Sequence, residues 1–197
     1  MAKAQADIIS AVIIVLIAIG LTATALMWGL PLIQKRQDSI MVERVSRIFS
    51  QELPSKIVSI ANTGGSDTVT IDVNGVWILD ESRNMLSFTF FSKASDKAVG
   101  IWIGGGECQP DGFNGKTGEL GLDQPCVVCV RSDEFATGYN ITYQIGCRML
   151  NSTANRYLIK LVPASGVTSS TLKTIKISRG STITQDNLIK TEINILL

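Results

Sequence analysis

The most strongly patterned part of the chain is its beginning. From Ile8 to Ile33 no residue is charged, and apolar side chains occupy every face that a helix would present. These 26 residues form a helix of about 39 Å at about 1.5 Å per residue, longer than a hydrocarbon core of roughly 30 Å. A helix apolar on all faces needs an apolar surrounding, and no other segment of the chain is apolar enough to wrap it. A buried core helix therefore fits poorly. A cleaved secretory signal also fits poorly, because its apolar region runs to only about 7–15 residues. The pattern predicts a helix that lies in lipid, in a bundle of its own copies, or in each in turn. Gly20, Thr22, Ala23, Thr24, Ala25 and Gly29 interrupt the run. Small residues of this kind let helix backbones approach closely in lipid. Pro31 removes one helical hydrogen bond and predicts a kink or loosening.

Polarity changes after Pro31. Gln34, Lys35, Arg36, Gln37 and Asp38 are polar, and Lys35-Arg36 marks the end of the lipid-compatible stretch. Ile40, Met41, Val45, Ile48, Phe49 and Leu53 then recur at helical spacings, with Glu43, Arg44, Arg47 and Glu52 on the other face. Pro54 predicts a stop. The expectation is one helix from about Asp7 to about Leu53, whose second half lays a single stripe on the domain that follows.

From Ile57 the pattern has period two. It predicts strands at Ile57–Asn62, Thr68–Leu79, Met85–Ser92, Val99–Ile103, Cys126–Arg131, Ile141–Met149, Arg156–Val162, Thr171–Ser178 and Glu192–Leu197. Turn signals separate them, among them Asn62-Thr63-Gly64-Gly65, Asn74-Gly75, Gly104-Gly105-Gly106, Pro110-Asp111-Gly112 and Arg179-Gly180-Ser181. Asn74-Gly75 reads as a tight hairpin turn or a bulge. The Gly-rich stretch from Gly104 to Pro125 reads as a variable surface loop. The fold class is therefore α+β: a long N-terminal helix, then an antiparallel β-sandwich.

Composition narrows the functions open to such a chain. It has 197 residues, 18 basic against 17 acidic, and a net charge of +1. No basic cluster suits a nucleic acid. Histidine is absent, which removes the commonest general base and metal ligand. Asp80-Glu81 and Asp133-Glu134 read as solvated turn residues rather than a catalytic pair. Gly104-Gly105-Gly106 with Glu107 lacks the Lys-Ser or Lys-Thr of a phosphate loop. Trp77 and Trp102 read as strand-packing residues. Neither catalysis, a cofactor nor a metal is expected.

Cys108, Cys126, Cys129 and Cys147 all fall in the β region. A zinc site would need all four thiolates to converge, yet the outer spacings make no second C-x-x-C. A redox motif would sit at a helix start, whereas CVVCV reads as a strand. Residues three apart on a strand face opposite sides, so Cys126 and Cys129 each seek a different partner. Two structural disulfides result, Cys108 with one and Cys147 with the other, the pairing left open. Asn140-Ile141-Thr142 and Asn151-Ser152-Thr153 are glycosylation sequons. Oxidised cysteines and sequons together point outside the cell. Asp7, at the edge of the apolar run, reads either as an interfacial helix N-cap or as the partner of a nearby α-amino group.

The opening MAKAQADIISAVIIVLIAIGL resembles archaeal type IV prepilins with a class III signal peptide. Lys3, Ala4 and Gln5 match the short basic leader, its small last residue and the polar residue after it. The resemblance implies removal of residues 1–4 by a prepilin peptidase acting between Ala4 and Gln5. KIVSIANTGGSDTVTIDVNGVWIL is similar to the first strands of archaeal pilin and archaellin heads, which implies an immunoglobulin-like sandwich. The match spans about the first 80 residues, moderately specific at the leader and generic beyond. Bacterial-type pilins carry Glu at the fifth mature position, here Ile9, and the nearby acid is Asp7 instead. The Gly-Ile-Gly-Thr pattern of many archaellins is absent, which favours a pilus over a swimming filament. The implied organisation is a leader (1–4), a helix (5–55) stored in the membrane and then packed in the filament core, and a sandwich head (56–197). The implied partners are other copies in a helical filament, the prepilin peptidase, the assembly machinery, and surface or cell ligands for adhesion. The competing expectation is a membrane-anchored, extracellular β-sandwich binding protein that never polymerises.

Overall fold

The computed structural model describes residues 2–104, 108, 113 and 116–197, with side chains from residue 12 onward. Helix α1 (Ala2–Arg47) passes into a π-helical turn (Ile48–Glu52) and then α2 (Leu53–Thr63). The residues divide into two compact units, Met1–Asp38 and Ser39–Leu197. The unit that carries the strands begins at Ser39.

The helical run is longer than its sequence pattern suggested at both ends, and Pro54 does not stop it. Proline lacks the N–H that the Ser50 carbonyl, four residues back, would accept in an α-helix. The chain widens there instead: the Leu53 N–H bonds to the Ile48 carbonyl, five residues back, which is π-helical pairing. Ile57–Asn62 is helix, not strand. Leu53, Ile57, Ile60 and Ala61 are buried, spaced four, three and one apart, which is one helical face. A short β-branched run fits either period, and packing selected the helix. Gly64 and Gly65 end α2 with φ of 83° and 92°, and the Gly64 N–H caps the Ile60 carbonyl at 2.9 Å.

Among the described residues twelve strands follow: β1 (Ser66–Thr70), β2 (Gly75–Asp80), β3 (Met85–Ser92), β4 (Trp102–Gly104), β5 (Thr117–Glu119), β6 (Cys126–Phe135), β7 (Gly138–Cys147), β8 (Met149–Asn151), β9 (Arg156–Pro163), β10 (Ser169–Ser170), β11 (Thr174–Gln185) and β12 (Leu188–Leu196). They make two six-stranded sheets, β1-β11-β12-β9-β8-β5 and β10-β2-β3-β7-β6-β4. The β-sandwich is as the sequence indicated, with differences of connection. The Thr68–Leu79 stretch splits into β1 and β2, which lie in different sheets. Asn74-Gly75 therefore marks a crossing between sheets, not a hairpin. A Cβ at Gly75 would collide with the Phe88 ring and the Thr89 carbonyl, so glycine is set by close approach of β3. Arg179-Gly180-Ser181 is a register break inside β11 rather than a turn. The first sheet is mixed, because β9 pairs parallel to β12 and β5 parallel to β8.

The second half of the helical run is core. Val42, Val45, Ile48, Phe49, Leu53, Ile57, Ile60 and Ala61 belong to one buried cluster with inward residues of both sheets. Glu43, Arg44, Arg47, Gln51 and Glu52 stay exposed, so a single stripe is used; it begins at Val42, and Ile40 and Met41, expected in it, are exposed. α2 touches β1, β11 and β12 of one sheet and β6 of the other; it lies in the opening between them. Phe49 is fully buried, with ring centroids 5.8 Å from Trp77, 6.5 Å from Phe88 and 5.3 Å from Tyr143. Each such large side chain contributes about 1.5–3 kcal/mol of transfer free energy.

Candidate functional site

The apolar segment of α1 is the first candidate. From residue 12 to residue 37 every side chain is exposed except half-buried Gly29. Leu16, Leu21, Met27, Trp28 and Leu32 are each more than 60 % exposed, far beyond what a water-facing helix carries. Its hydroxyls are satisfied within the helix. Thr22 Oγ1 donates to the Ala18 carbonyl and Thr24 Oγ1 to the Gly20 carbonyl, both at 2.8 Å. The surface offered to a neighbour is therefore apolar in chemistry as well as composition. The helix is not broken at Pro31, although the Met27 carbonyl loses its i+4 donor there. Ala4, Gln5 and Asp7 lie in the helical backbone, and their side chains fall outside the described residues. Since α1 starts at Ala2, Asp7 is helical interior and not an N-cap. The residues before it are good helix formers that continue the turn.

The cysteines form two disulfides, Cys108–Cys129 and Cys126–Cys147, with Cα–Cα distances of 5.7 and 4.0 Å. The alternation of β6 explains the pairing. Cys126 faces the core beside its direct cross-strand partner Cys147. Cys129 faces outward, where the segment after β4 crosses it. Gly104 pairs with Cys129 in register, and a Cβ there would overlap the Cys108 sulfur. With all four sulfurs bonded, no thiolate set is left for zinc or for redox exchange. Among the described residues no group of three or more His, Cys, Asp or Glu gathers as a metal site.

The Gly104–Pro125 stretch is anchored, not free, where it is described. Phe113 is 1 % exposed and lies against Gly146, where any Cβ would overlap its ring. Its N–H also donates to the Arg83 carbonyl at 3.0 Å. The expected turns at Gly105-Gly106 and Pro110-Asp111-Gly112 lie outside the described residues. Thr117–Glu119, absent from the sequence reading as a strand, is β5. Beyond it, Arg148 is nearly buried and holds the following turn by bonds to the Gln124 carbonyl at 2.9 Å and Asp123 at 3.3 Å. A groove of about 420 Å³ opens beside this pair, walled by Val58, Leu120, Leu150, Ile159 and Ile189.

The two sequons differ in setting. Asn140 is half-buried on the outward face of β7, between Phe91 of β3 and Asp133 of β6. Its Thr142 shares a 2.9 Å hydrogen bond with Thr89. Asn151, Ser152 and Thr153 are all exposed at the β8–β9 turn. Trp77 is fully buried and donates its indole N–H to the Leu172 carbonyl at 3.1 Å; it is a core residue. Trp102 is half-buried on β4, with the Arg131 guanidinium 6.0 Å from its ring centre. Asp133-Glu134 sits within β6, not in a turn, and Asp133 pairs with Arg131 at 2.8 Å. Asp80 is the last residue of β2 rather than a turn residue, and the Ser82 hydroxyl at 2.6 Å holds its carboxyl below the ordinary value. Thr68 N–H does the same for Asp67, Lys173 for Asp72, and the Ser181 hydroxyl for Glu192. Burial pushes the Tyr143 phenol up, opposed in part by the Ser46 hydroxyl.

Sequence reading missed Asn84. It is 1 % exposed with φ of 53°. Its Nδ2 donates to the Cys147 and Ile159 carbonyls at 2.7 and 2.8 Å, and its Oδ1 accepts from the Leu161 N–H at 2.8 Å. It therefore ties β7 of one sheet to β9 of the other. Its only sequence signal is an Asn in a turn, which is common.

Fold and surfaces together define a disulfide-braced β-sandwich protein with a long apolar N-terminal helix. The helix fits a membrane anchor or signal, and the disulfides fit an extracellular location. Comparison with protein-family models, with curated proteins and with solved structures gives no match.

Proposed function

We propose that this chain is the structural subunit of an extracellular, archaeal type IV pilus-like filament. The observation that carries the reading is the bare helix: residues 12–33 expose apolar side chains on all faces. Such a surface must be covered by something apolar. Lipid covers it in a precursor; other copies of the same helix cover it in a fibre. The 16 large apolar side chains from Ile8 to Ile33, at roughly 1.5–3 kcal/mol each, supply tens of kcal/mol before the entropy of association is subtracted. The small residues from Gly20 to Gly29 let such helices approach closely, and the hydroxyls of Thr22 and Thr24 are satisfied by their own helix. The oxidised, glycosylatable head then coats the fibre, where it meets surfaces and mediates adhesion. A prepilin peptidase cleaves between Ala4 and Gln5, which leaves Asp7 near the new α-amino group of its own or a neighbouring chain.

The test is direct. Fibres sheared from cells are imaged and the subunit's N-terminal peptide is weighed by mass spectrometry. Fibres built of this chain beginning at Gln5 are expected. A chain that stays in the membrane fraction with Met1–Ala4 attached, and no fibre containing it, favours the anchored binding protein instead.

A further inference from the structure

Among the described residues, nothing covers one edge of the first sheet. β1 pairs with β11 only from Thr174 to Ser178, and one more backbone bond joins the Arg179 N–H to the Gly65 carbonyl at 3.1 Å. A register break between Arg179 and Thr182 then turns β11 away from β1's path. Beyond it β11 continues to Gln185, paired on its β12 side alone. Residues 181–187 are all exposed, and Ile183 is 47 % exposed.

Sheet edges invite pairing, and proteins usually blunt them with charge, proline or shortness. The other edges here follow that rule among the described residues. β4 and β5 have three residues each and β10 has two. On β1, Lys56 Nζ occupies the Thr68 carbonyl at 2.6 Å and pairs with Asp67. Gly180-Ser181-Thr182-Ile183-Thr184-Gln185 has neither charge nor proline. Its flanks are oppositely charged. Arg179 stands at one end and donates to Thr182 Oγ1 at 3.1 Å. Asp186 stands at the other, in a two-residue turn with Asn187 whose φ values of 46° and 63° project the hairpin tip. Neither side chain is in an ion pair among the described residues.

We propose that the open edge of β11 from Gly180 to Gln185 pairs antiparallel with the same edge of a second copy of this chain. Antiparallel pairing about a two-fold axis runs each strand from Arg179 toward the partner's Asp186, so both ends join opposite charges. Parallel pairing sets like charges together and is disfavoured. The uncharged middle is self-complementary: threonine and isoleucine side chains meet their equivalents, which suits cross-strand packing. About six backbone hydrogen bonds form, roughly one per residue pair. β1 of each copy lies beyond the other's hairpin tip, so the two six-stranded sheets become one. The contact does not rest on the filament reading. Where the chains are polymerised, an isologous contact of this kind closes on itself and links heads of different fibres side by side.

The test uses the full chain in detergent micelles, where the apolar helix is covered and no fibre is needed. Sedimentation equilibrium is expected to show a dimer. Mild oxidation of Ile183→Cys is expected to cross-link it, while Leu172→Cys, an exposed position elsewhere, is not. Arg179→Asp or Asp186→Arg alone should weaken the dimer at least tenfold, and the two together should restore it. Circular dichroism confirms that each variant is folded. A chain that is monomeric at every concentration overturns the proposal and leaves the edge to another extended partner. A dimer indifferent to both charge reversals overturns it too, because association then runs through the helix.

Discussion

Replacing Asn84 by Ala removes three interior hydrogen bonds, one to β7 within its own sheet and two to β9 of the other. The Cys147 and Ile159 carbonyls and the Leu161 N–H, held at 2.7, 2.8 and 2.8 Å, lose their partners in a site closed to water. Each intact bond contributes about 1 kcal/mol net, and each buried group left unpaired costs about 1–3 kcal/mol. Alanine must also adopt φ of 53°, which costs about 1 kcal/mol more than it does for Asn or Gly. Three lost bonds and the backbone term together come to at least about 4 kcal/mol, a large share of the roughly 5–15 kcal/mol that holds a domain folded. Asn84→Gly loses the same bonds but not the backbone term, so it should cost about 1 kcal/mol less than Asn84→Ala. The assay is guanidinium unfolding of the full chain in detergent with its disulfides intact. Near-ultraviolet circular dichroism follows the Phe49–Trp77–Phe88–Tyr143 cluster. An Asn84→Ala cost below about 1 kcal/mol, or a glycine variant no better than the alanine one, would refute the reasoning.

Phe49→Ala should cost about 3–5 kcal/mol by the same assay, because the ring is fully buried against three others. Tyr143→Phe should be neutral or mildly stabilising, since the buried hydroxyl faces the Ser46 hydroxyl outside good hydrogen-bond geometry; a loss above about 1 kcal/mol would contradict this. Removing Cys126 and Cys147 together should cost about 3 kcal/mol from the 21-residue separation they close, read as a lowered melting temperature. Asp67, Asp72, Asp80 and Glu192 are held below their ordinary values of 3.8 and 4.5. Their contribution is complete above pH 4.5 and lost as pH falls through the lowered folded values, so melting temperature should drop only in acid. A head that loses stability between pH 7 and pH 5 would break that link.

Much of the plan was legible because its signals are local. The charge-free run to Ile33, the alternation of Met85–Ser92 and the strand character of CVVCV depend on near neighbours in sequence. From the last of these followed the demand that Cys126 and Cys129 face opposite ways. Other features were hidden because they rest on distant partners. Ile57–Asn62 looks like a strand in isolation, and only the opening between two sheets makes its Ile57–Ile60–Ala61 face a helix. Asn84 looks like any turn residue until β9 arrives against it. Gly146 looks like a flaw in a strand until Phe113 lies on it.

The sequence by itself determined that the chain from about Asp7 to about Leu53 is helical, that residues 8–33 need an apolar surrounding, and that an oxidised β domain follows. Hydropathy and alternation are properties of neighbouring residues, so they can be read without a fold. Only the tertiary structure decided that the helix's second half is the core of the sandwich, which cysteine meets which, and that β11 outruns β1 to leave an open edge. Those are outcomes of register and close approach between segments up to about a hundred residues apart, and packing, not local pattern, sets them.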